Sequence, residues 1–403
     1  MSLIMADSIS ISISISSSPS STLLLNPNAS PSSPQPLVFD SSLLQDQQTL
    51  PKEFLWPNND LTRSEQQLED LNEPIVDLGG FVSGNVSAAA RAAELVRAAC
   101  LSHGFFQVTN HGVCPELIEA AYREVDRIFE LPISRKLSMR RKPGGVIGYS
   151  GAHADRYSAK LPWKETFSFR FSGADNVKEK PTVVEYFNSV LGEDFQYSGR
   201  VYQRYCEAMK ELSLMIMELL AMSLGVDRFH LREFFEDSSS IMRCNLYPPC
   251  RNEGLTMGTG PHCDPTSLTI LHQDQVGGLQ VFAYGRWQAV KPRHNAFVVN
   301  IGDTFMAMSN GVYKSCLHRA VVNRERERKS LVYFVSPRED KVVRPPPDLL
   351  LREGAIRQYP DFTWSDLFNF TQSHYRADVA TLESFFEWFL SSNKPSKSNM
   401  AMT

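Results

Sequence analysis

The chain has 403 residues, of which 42% are hydrophobic and 21% are charged, and its formal net charge is −4. This composition is typical of a globular protein, and the lack of a long basic run argues against nucleic acid or an anionic membrane surface as a partner. No apolar run approaches the roughly 20 residues needed to span a bilayer, so the sequence predicts no membrane segment.

Cysteine usage indicates the redox environment. Seven cysteines are scattered along the chain, and none of them forms a C-x-x-C pair. An odd number at irregular spacing predicts reduced thiols rather than a disulfide framework or a thiolate zinc site. The sequence therefore favours a reducing compartment.

The first 53 residues differ from the rest of the chain. They begin with the low-complexity run MSLIMADSISISISISSSPSST, and no Lys or Arg precedes Lys52. This composition predicts a disordered tail over residues 1–53. A plastid transit peptide is the alternative interpretation of the Ser-rich start, although transit peptides are rich in Arg. Cytoplasmic localisation is therefore the prediction.

Residues 54–235 are predicted to form an N-terminal region of helices and short strands. EPIVDLGGF indicates a short strand closed by a glycine turn, and FFQVTNHG indicates a second strand. Between them, residues 87–104 carry a Ser cap, strong helix formers and a terminal glycine, which predict a helix. CPELIEAAYREVDRIFELP predicts another helix, and an apolar stripe over residues 198–224 predicts a long one.

From residue 236 the pattern changes to short strands with glycine turns. The predicted strands are SIMRCNLYP, SLTILHQ, GLQVFA, RWQAVKP, AFVVNIGD, SCLHRAVVN and KSLVYFVSP. Their near-regular spacing predicts an antiparallel sandwich or barrel over residues 236–340. Residues 341–392 are predicted to form helices that cover this core, and residues 393–403 a second disordered tail.

Three residues in the strand-rich region form a candidate metal site. His262 and Asp264 are two residues apart in the stretch PHCDP, and side chains at positions i and i+2 of an extended segment point to the same side. His318, in SCLHRAVVN, is far enough along the chain to return to the same mouth of a barrel. Two imidazoles and one carboxylate are the ligands of non-haem iron(II) oxygenases, and they leave about three of six positions open.

Four further residues could bind an anion beside this site. Arg328 and Ser330 are again at i and i+2, as are Asn245 and Tyr247 in NLYPPC. A guanidinium can pair with a carboxylate through two hydrogen bonds, and the other three side chains can add donors. The sequence therefore predicts that a dicarboxylate binds at these residues.

Together these motifs resemble those of the plant dioxygenases that depend on 2-oxoglutarate and Fe(II). HCD, the distant His318 and the R-x-S of Arg328 and Ser330 match that family's iron and cosubstrate motif. NLYPPC resembles the usual N-Y-Y-P-P-C, with Leu246 in place of a Tyr at a position expected to point away from the pocket. LPWKETFSF and two longer stretches are similar to the gibberellin 20-oxidase subgroup. The resemblance covers about residues 70–392.

The resemblance implies a fold and an activity. The expected fold is α+β with a mainly β core, a distorted double-stranded β-helix or jelly-roll flanked by helices. The expected cofactors are Fe(II), 2-oxoglutarate as cosubstrate, O2, and ascorbate as reductant. Arg328 would be catalytic by holding 2-oxoglutarate, with Ser330, Asn245 and Tyr247 assisting. The expected substrate is a twenty-carbon gibberellin, a diterpenoid acid whose carbon-20 is oxidised to alcohol and aldehyde and then lost.

Two other functions remain open at this point. A related dioxygenase could act on another gibberellin carbon or on a flavonoid, because those enzymes share the iron motif. A non-catalytic binding module would have lost one of the key residues, and all of them are present. Lys164 could pair with a substrate carboxylate, although a surface lysine explains it equally well. The predicted oligomeric state is a monomer.

Overall fold

The computed structural model describes residues 38–45, 49–57, 61, 68–142, 144–154, 159–172, 182–352, 356–374 and 381–392. Its strands are β1 (Ile75–Asp77), β2 (Phe105–Thr109), β3 (Gly148–Gly151), β4 (Glu165–Ser172), β5 (Ser239–Tyr247), β6 (Thr259–His262), β7 (Leu268–Gln273), β8 (Leu279–Ala283), β9 (Arg286–Ala289), β10 (Phe297–Ile301), β11 (His318–Ala320), β12 (Arg328–Ser336), β13 (Val342–Val343) and β14 (Phe362–Thr363).

Most of the helices precede or follow the strand-rich region along the chain. They are α1 (Ser41–Gln45), α2 (Gly79–Val82), α3 (Val86–Ser102), α4 (Pro115–Phe129), α5 (Ile133–Ser138), α6 (Val183–Leu191), α7 (Gln196–Leu224), α8 (His230–Phe235), α9 (Asp303–Met308), α10 (Pro347–Arg352), α11 (Trp364–His374) and α12 (Thr381–Ser392). Short 3-10 turns cover Lys52–Phe54, Glu193–Phe195 and Glu253–Leu255. No described helix combines the length and the apolar character that crossing a bilayer requires.

Two sheets build the core. The larger has the order β1-β2-β10-β7-β12-β5-β4-β3, and the smaller has the order β6-β11-β8-β9. Apolar side chains of both sheets, including Phe105, Val298, Leu279 and Val281, are buried in one cluster. The four central strands of the large sheet and the four strands of the small one thus form a jelly-roll. The predicted fold class, a mainly β core flanked by helices, is confirmed.

The N-terminal region shares the large sheet with the core. β4 pairs with β5 over eight residues and β2 pairs with β10, both antiparallel. The long helix α7 lies against α3, α4 and α6, and its buried side chains belong to the same hydrophobic cluster as those of the large sheet. The division predicted at residues 235 and 236 therefore separates strands that pair with each other, and it stays a prediction.

Most predicted elements are present, with local differences. The seven strands predicted after residue 236 correspond to β5 and β7–β12, while β6 and α9 were not predicted. The helix predicted from residue 87 begins at Val86, because the Asn85 side chain, and not a Ser, accepts a hydrogen bond from the Ala88 amide at 3.0 Å. The glycines predicted to form a turn start the short helix α2, whose Gly79 amide donates to Asp77.

The chain packs against the core earlier than predicted. Residues 38–45 and 49–57, which we call the N-terminal arm, include the buried side chains of Phe39, Leu44 and Phe54. The rings of Phe39 and Phe54 lie 5.4 and 5.2 Å from the ring of Trp163. The tail boundary predicted at residue 53 is therefore too late, because these aromatic side chains gain burial by packing on the core. Residues 1–37 and 393–403 lie outside the described residues.

Candidate metal centre and adjoining cavities

His262, Asp264 and His318 meet at one end of the small sheet. β6 ends at His262 and β11 begins at His318, and the pairing of these strands places the two histidines directly opposite each other. The Nε2 atoms of His262 and His318 lie 3.5 and 3.6 Å from the two carboxylate oxygens of Asp264. One ligand atom from each residue lies within 4.8 Å of the others. The spacing on the strands therefore brings the three predicted ligands together.

Backbone carbonyls orient both imidazoles. Nδ1 of His262 is 2.9 Å from the carbonyl oxygen of Gly260, and Nδ1 of His318 is 3.2 Å from that of Cys316. A carbonyl oxygen can only accept, so each Nδ1 carries the proton and each Nε2 keeps its lone pair. This arrangement is typical of histidines that bind a metal, whose second nitrogen donates to a neighbouring group.

Asp264 is held by groups that sequence reasoning did not identify. Its Oδ2 accepts hydrogen bonds from Thr269 Oγ1 at 2.7 Å and from Asn300 Nδ2 at 3.0 Å. Both residues lie on neighbouring strands, at Cα positions that pair directly in the β7–β10 register. The only signal for them in the sequence is a polar residue within a predicted apolar strand, which does not by itself indicate a role beside a metal.

The protonation states also fit a metal. Burial alone would raise the pKa of Asp264, but His318, His262 and the Thr269 hydroxyl together hold that pKa well below its usual range. Burial, with a contribution from His262, lowers the pKa of His318 to about 4. At neutral pH the carboxylate is therefore charged and the His318 imidazole is neutral, which are the forms that bind a metal ion. The donor set of two nitrogens and one oxygen suits Fe(II).

The predicted anion-binding residues form two facing pairs. In the β5–β12 register Arg328 lies opposite Tyr247, and Ser330 lies opposite Asn245. The Arg328 guanidinium stacks over the Tyr247 ring at 4.9 Å from its centre. Asn245 Nδ2 donates to Ser330 Oγ at 3.1 Å, and Arg328 donates to Gln273 Oε1 at 3.0 Å. Gln273 is a further member of this group that the sequence analysis missed, although it ends a predicted strand.

The charge balance at Arg328 favours an anionic ligand. Its side chain is 1% exposed, and no acidic residue in the described part of the chain forms a salt bridge with it. Within the described part of the chain, Arg328 Nε and Gln273 Nε2 are buried donors without a hydrogen-bond partner. A buried guanidinium is costly without a counter-charge, and a carboxylate would satisfy these donors.

Two cavities meet at the metal centre. The inner cavity has a volume of about 580 Å³ and is lined by all three candidate ligands together with Asn245, Tyr247 and Arg328. Ser330 is buried directly behind Asn245. The outer cavity has a volume of about 1070 Å³ and also reaches His262 and Asp264. A small polar ligand and a larger apolar one can therefore approach the same point from different sides.

The outer cavity combines apolar walls with cationic side chains, of which Arg141 and Lys164 are buried. Ile241, Phe334, Trp364 and Phe368 supply apolar surface, and Asp264 is the one acidic residue among the described residues that line it. Arg141, Lys160, Lys164 and Arg243 also line this cavity. The described lining therefore carries an excess of positive charge, which suits an apolar molecule that bears a carboxylate.

Lys164 is buried between the two cavities and is not a surface residue. It is 4% exposed, and its Nζ donates to Thr259 Oγ1 at 2.9 Å. Burial first, and then the nearby charges of Arg243, Arg141 and Arg328, lower its pKa well below the usual value. The surface interpretation of Lys164 is therefore wrong. The signal that could have indicated burial is its position directly before the aromatic, β-forming run of β4.

Comparisons with known proteins agree with this geometry. The model of the 2OG-Fe(II) oxygenase superfamily matches residues 238–337. The model for the N-terminal part of a non-haem dioxygenase in morphine synthesis matches residues 74–188. The chain is 52% identical over 360 residues to gibberellin 20 oxidase 2 of Arabidopsis thaliana, covering 89% of this chain and 93% of the relative. It is 57% identical over 339 residues to gibberellin 20 oxidase 2 of Oryza sativa subsp. indica, covering 84% and 85%.

Solved structures show the same fold. JOX2, crystallised in complex with 2OG, Fe and JA, is 31% identical with a TM-score of 0.74, covering 87% of this chain and 98% of that one. The dioxygenase for auxin oxidation in rice is 28% identical with a TM-score of 0.63, covering 77% and 98%. The chain therefore belongs to the 2OG-Fe(II) oxygenase superfamily and, within it, to the gibberellin 20-oxidase family, and it is a dioxygenase that depends on 2-oxoglutarate and Fe(II).

Proposed function

We propose that this chain oxidises carbon-20 of twenty-carbon gibberellins in successive steps, first to the alcohol, then to the aldehyde, and finally with loss of that carbon. The observation that carries the proposal is the junction of two unlike cavities at the metal centre. One contains the buried Arg328 beside the metal ligands, while the other is larger and lined by Trp and Phe side chains together with Lys and Arg. The identity of 52–57% to gibberellin 20 oxidases over most of the chain supports the choice of substrate.

In this proposal His262, Asp264 and His318 bind Fe(II), which activates dioxygen when it is present. Thr269 and Asn300 hold Asp264 in its ionised form and in a fixed orientation, because both donate to the same carboxylate oxygen. Rigid ligands would hold Fe(II) at the point where the two cavities meet. Such supporting hydrogen bonds commonly raise metal affinity by about 10- to 100-fold.

Arg328 holds the cosubstrate in the inner cavity. Its guanidinium pairs with the carboxylate of 2-oxoglutarate that lies away from the metal, and Ser330, Asn245 and Tyr247 complete this end of the site. The β5–β12 pairing fixes all four side chains on one surface. The ring of Tyr247 under the guanidinium restricts the orientation of the fork. Arg328 thereby sets the distance of the cosubstrate from the metal.

The outer cavity binds the gibberellin. A rigid diterpenoid acid needs apolar surface together with one or two cations, and the lining of the outer cavity supplies both. Lys164 is the proposed partner of a substrate carboxylate, since it lines both cavities and lies next to Thr259. The apolar walls exclude water from the reacting carbon.

A direct assay tests this function. The purified protein is incubated with Fe(II), 2-oxoglutarate, ascorbate and a twenty-carbon gibberellin, and the products are identified by mass spectrometry. Alcohol, aldehyde and nineteen-carbon products, formed together with succinate, are the expected result. His318→Ala protein is the matched negative control. Oxygen addition without carbon loss would move the attack to another gibberellin carbon, and turnover of a flavonoid alone would support the related dioxygenase.

The location and the oligomeric state belong to the same proposal. All seven cysteines lie in the described part of the chain and none is paired, which supports a reducing compartment. We expect the enzyme to be cytoplasmic for this reason. We also expect it to be monomeric and, given its net charge of −4, to have no nucleic acid as a partner. Size-exclusion chromatography with light scattering tests the monomer, and a fluorescent fusion at the C-terminus distinguishes cytoplasm from plastid.

A further inference from the structure

The N-terminal arm closes one side of the outer cavity. Its aromatic residues Phe39 and Phe54 are buried against Trp163. Two backbone hydrogen bonds attach its last turn to the core, from the Leu161 amide to the Glu53 carbonyl at 2.8 Å and from the Trp56 amide to the Leu255 carbonyl at 3.0 Å. The arm is therefore fixed in position where it reaches the cavity.

Trp56 is the residue of the arm that lines the cavity. Its indole Nε1 donates to the Leu161 carbonyl at 3.3 Å, and Lys160 Nζ lies 5.8 Å from the centre of its ring. The indole also rests on Gly260, where an added Cβ would lie 2.1 Å from the ring atom Cη2. Gly260 accepts the Nδ1 hydrogen bond of His262. Trp56 thus reaches the cavity wall within two residues of the metal centre.

Three of the four Trp and Phe residues that line this cavity lie outside the matched family domains. Those domains cover residues 74–188 and 238–337. Trp56 precedes both of them, and Trp364 and Phe368 on α11 follow both. The residues that bind metal and cosubstrate, in contrast, all lie inside the second domain. Terminal segments outside these domains therefore supply most of the aromatic wall of the cavity.

We propose that Trp56 is a specificity-determining residue, which forms the wall against which the apolar ring system of the substrate packs and so sets the carbon that faces the metal. This inference rests on the proposed function, because it concerns the same cavity. The indole is rigid and held by its own hydrogen bond, so it limits both the depth and the orientation of a bound diterpenoid. A smaller side chain at this position leaves the substrate free to shift.

The test compares Trp56→Ala, Trp56→Phe and wild-type protein in two assays. Binding of a twenty-carbon gibberellin to enzyme loaded with Fe(II) and 2-oxoglutarate is measured under nitrogen by calorimetry. Turnover is measured in air as oxidised gibberellin formed per succinate. Trp56→Ala is expected to bind at least about tenfold more weakly and to form more succinate per product, since losing apolar contact in a pocket has effects of this size. Trp56→Phe should recover most of both.

Controls separate this role from a structural one. Iron content and the Michaelis constant for 2-oxoglutarate should stay within about twofold of wild type, because the catalytic core is unchanged. Trp388→Ala removes an indole that packs against Phe370 and is not among the described residues lining the outer cavity. This variant should leave gibberellin binding unchanged.

Unchanged binding and coupling in folded Trp56→Ala protein would overturn the inference. So would a parallel loss of iron, which would show that Trp56 only supports β6. If the wild type makes no products but binds gibberellin in a way that depends on Trp56, the proposed reaction is refuted and the inference about Trp56 stands. Failure of the wild type to bind gibberellin would refute both.

Discussion

Arg328→Lys keeps a positive charge in the inner cavity but removes the fork that we expect to hold 2-oxoglutarate. The native Arg328 side chain is 1% exposed, and its guanidinium lies 4.9 Å from the centre of the Tyr247 ring. One of its N–H groups already donates a hydrogen bond to Gln273. Lysine offers a point charge on a flexible stem, so it cannot make two parallel hydrogen bonds to one carboxylate. The variant should fold, since its charge and most of its volume are kept.

The size of the effect follows from the lost hydrogen bond. One hydrogen bond to a charged group contributes about 1.5–3 kcal/mol. At about 1.4 kcal/mol for each factor of ten, its loss raises the Michaelis constant for 2-oxoglutarate by roughly 10- to 150-fold. The turnover number at saturating cosubstrate should fall much less, because the metal ligands are untouched. Succinate formation at increasing 2-oxoglutarate concentration measures both quantities.

Arg319→Lys is the matched control. Arg319 is also 1% exposed and lines the same cavity. Its guanidinium donates to Gln280 at 2.7 Å and lies 3.9 Å from the centre of the Trp287 ring, so its planar group is already occupied by the protein. For this variant we expect the Michaelis constant for 2-oxoglutarate to change by less than about threefold. An unchanged constant in Arg328→Lys, or an equal rise in both variants, would refute the assignment of Arg328 as the anchor.

Three further changes test the site and its surroundings. His318→Ala should abolish turnover and iron binding while the melting temperature remains close to that of wild type. His272→Gln, a change at another buried strand histidine, should retain activity. Iron analysis measures the bound metal, and calorimetry measures the melting temperature. Asn300→Ala removes a donor to the Asp264 carboxylate and should weaken iron binding by about 10- to 100-fold, and an unchanged iron affinity would contradict the supporting role. Burial lowers the pKa of His103 to about 4 from 6.5. The folded state therefore binds fewer protons than the unfolded state between these values, and stability should fall as pH drops from about 6.5 to 4. In His103→Gln protein, the melting temperature should depend less on pH across this range. An equal dependence in the variant and the wild type would refute the role of His103.

Local patterns determined much of the architecture. The strands β5 and β7–β12 were predicted because β-branched and aromatic runs are separated by glycine turns. The long helix predicted over residues 198–224 is α7, since its apolar stripe recurs at helical spacing. The spacing of His262 and Asp264, and of Arg328 and Ser330, also indicated which side chains share a face. These signals lie within a few residues of each other, so they need no knowledge of the fold.

Contacts between distant segments were decided only by the tertiary structure. His318 reaches His262 because β6 pairs with β11, and no local pattern states which strands become neighbours. The support of Asp264 by Asn300 and the burial of Lys164 depend on the same kind of pairing. Phe39 lies in a segment whose composition predicted disorder, and only the aromatic surface provided by Trp163 makes its packing favourable. Burial is a property of the assembled sheets and helices, so a single segment of sequence cannot reveal it.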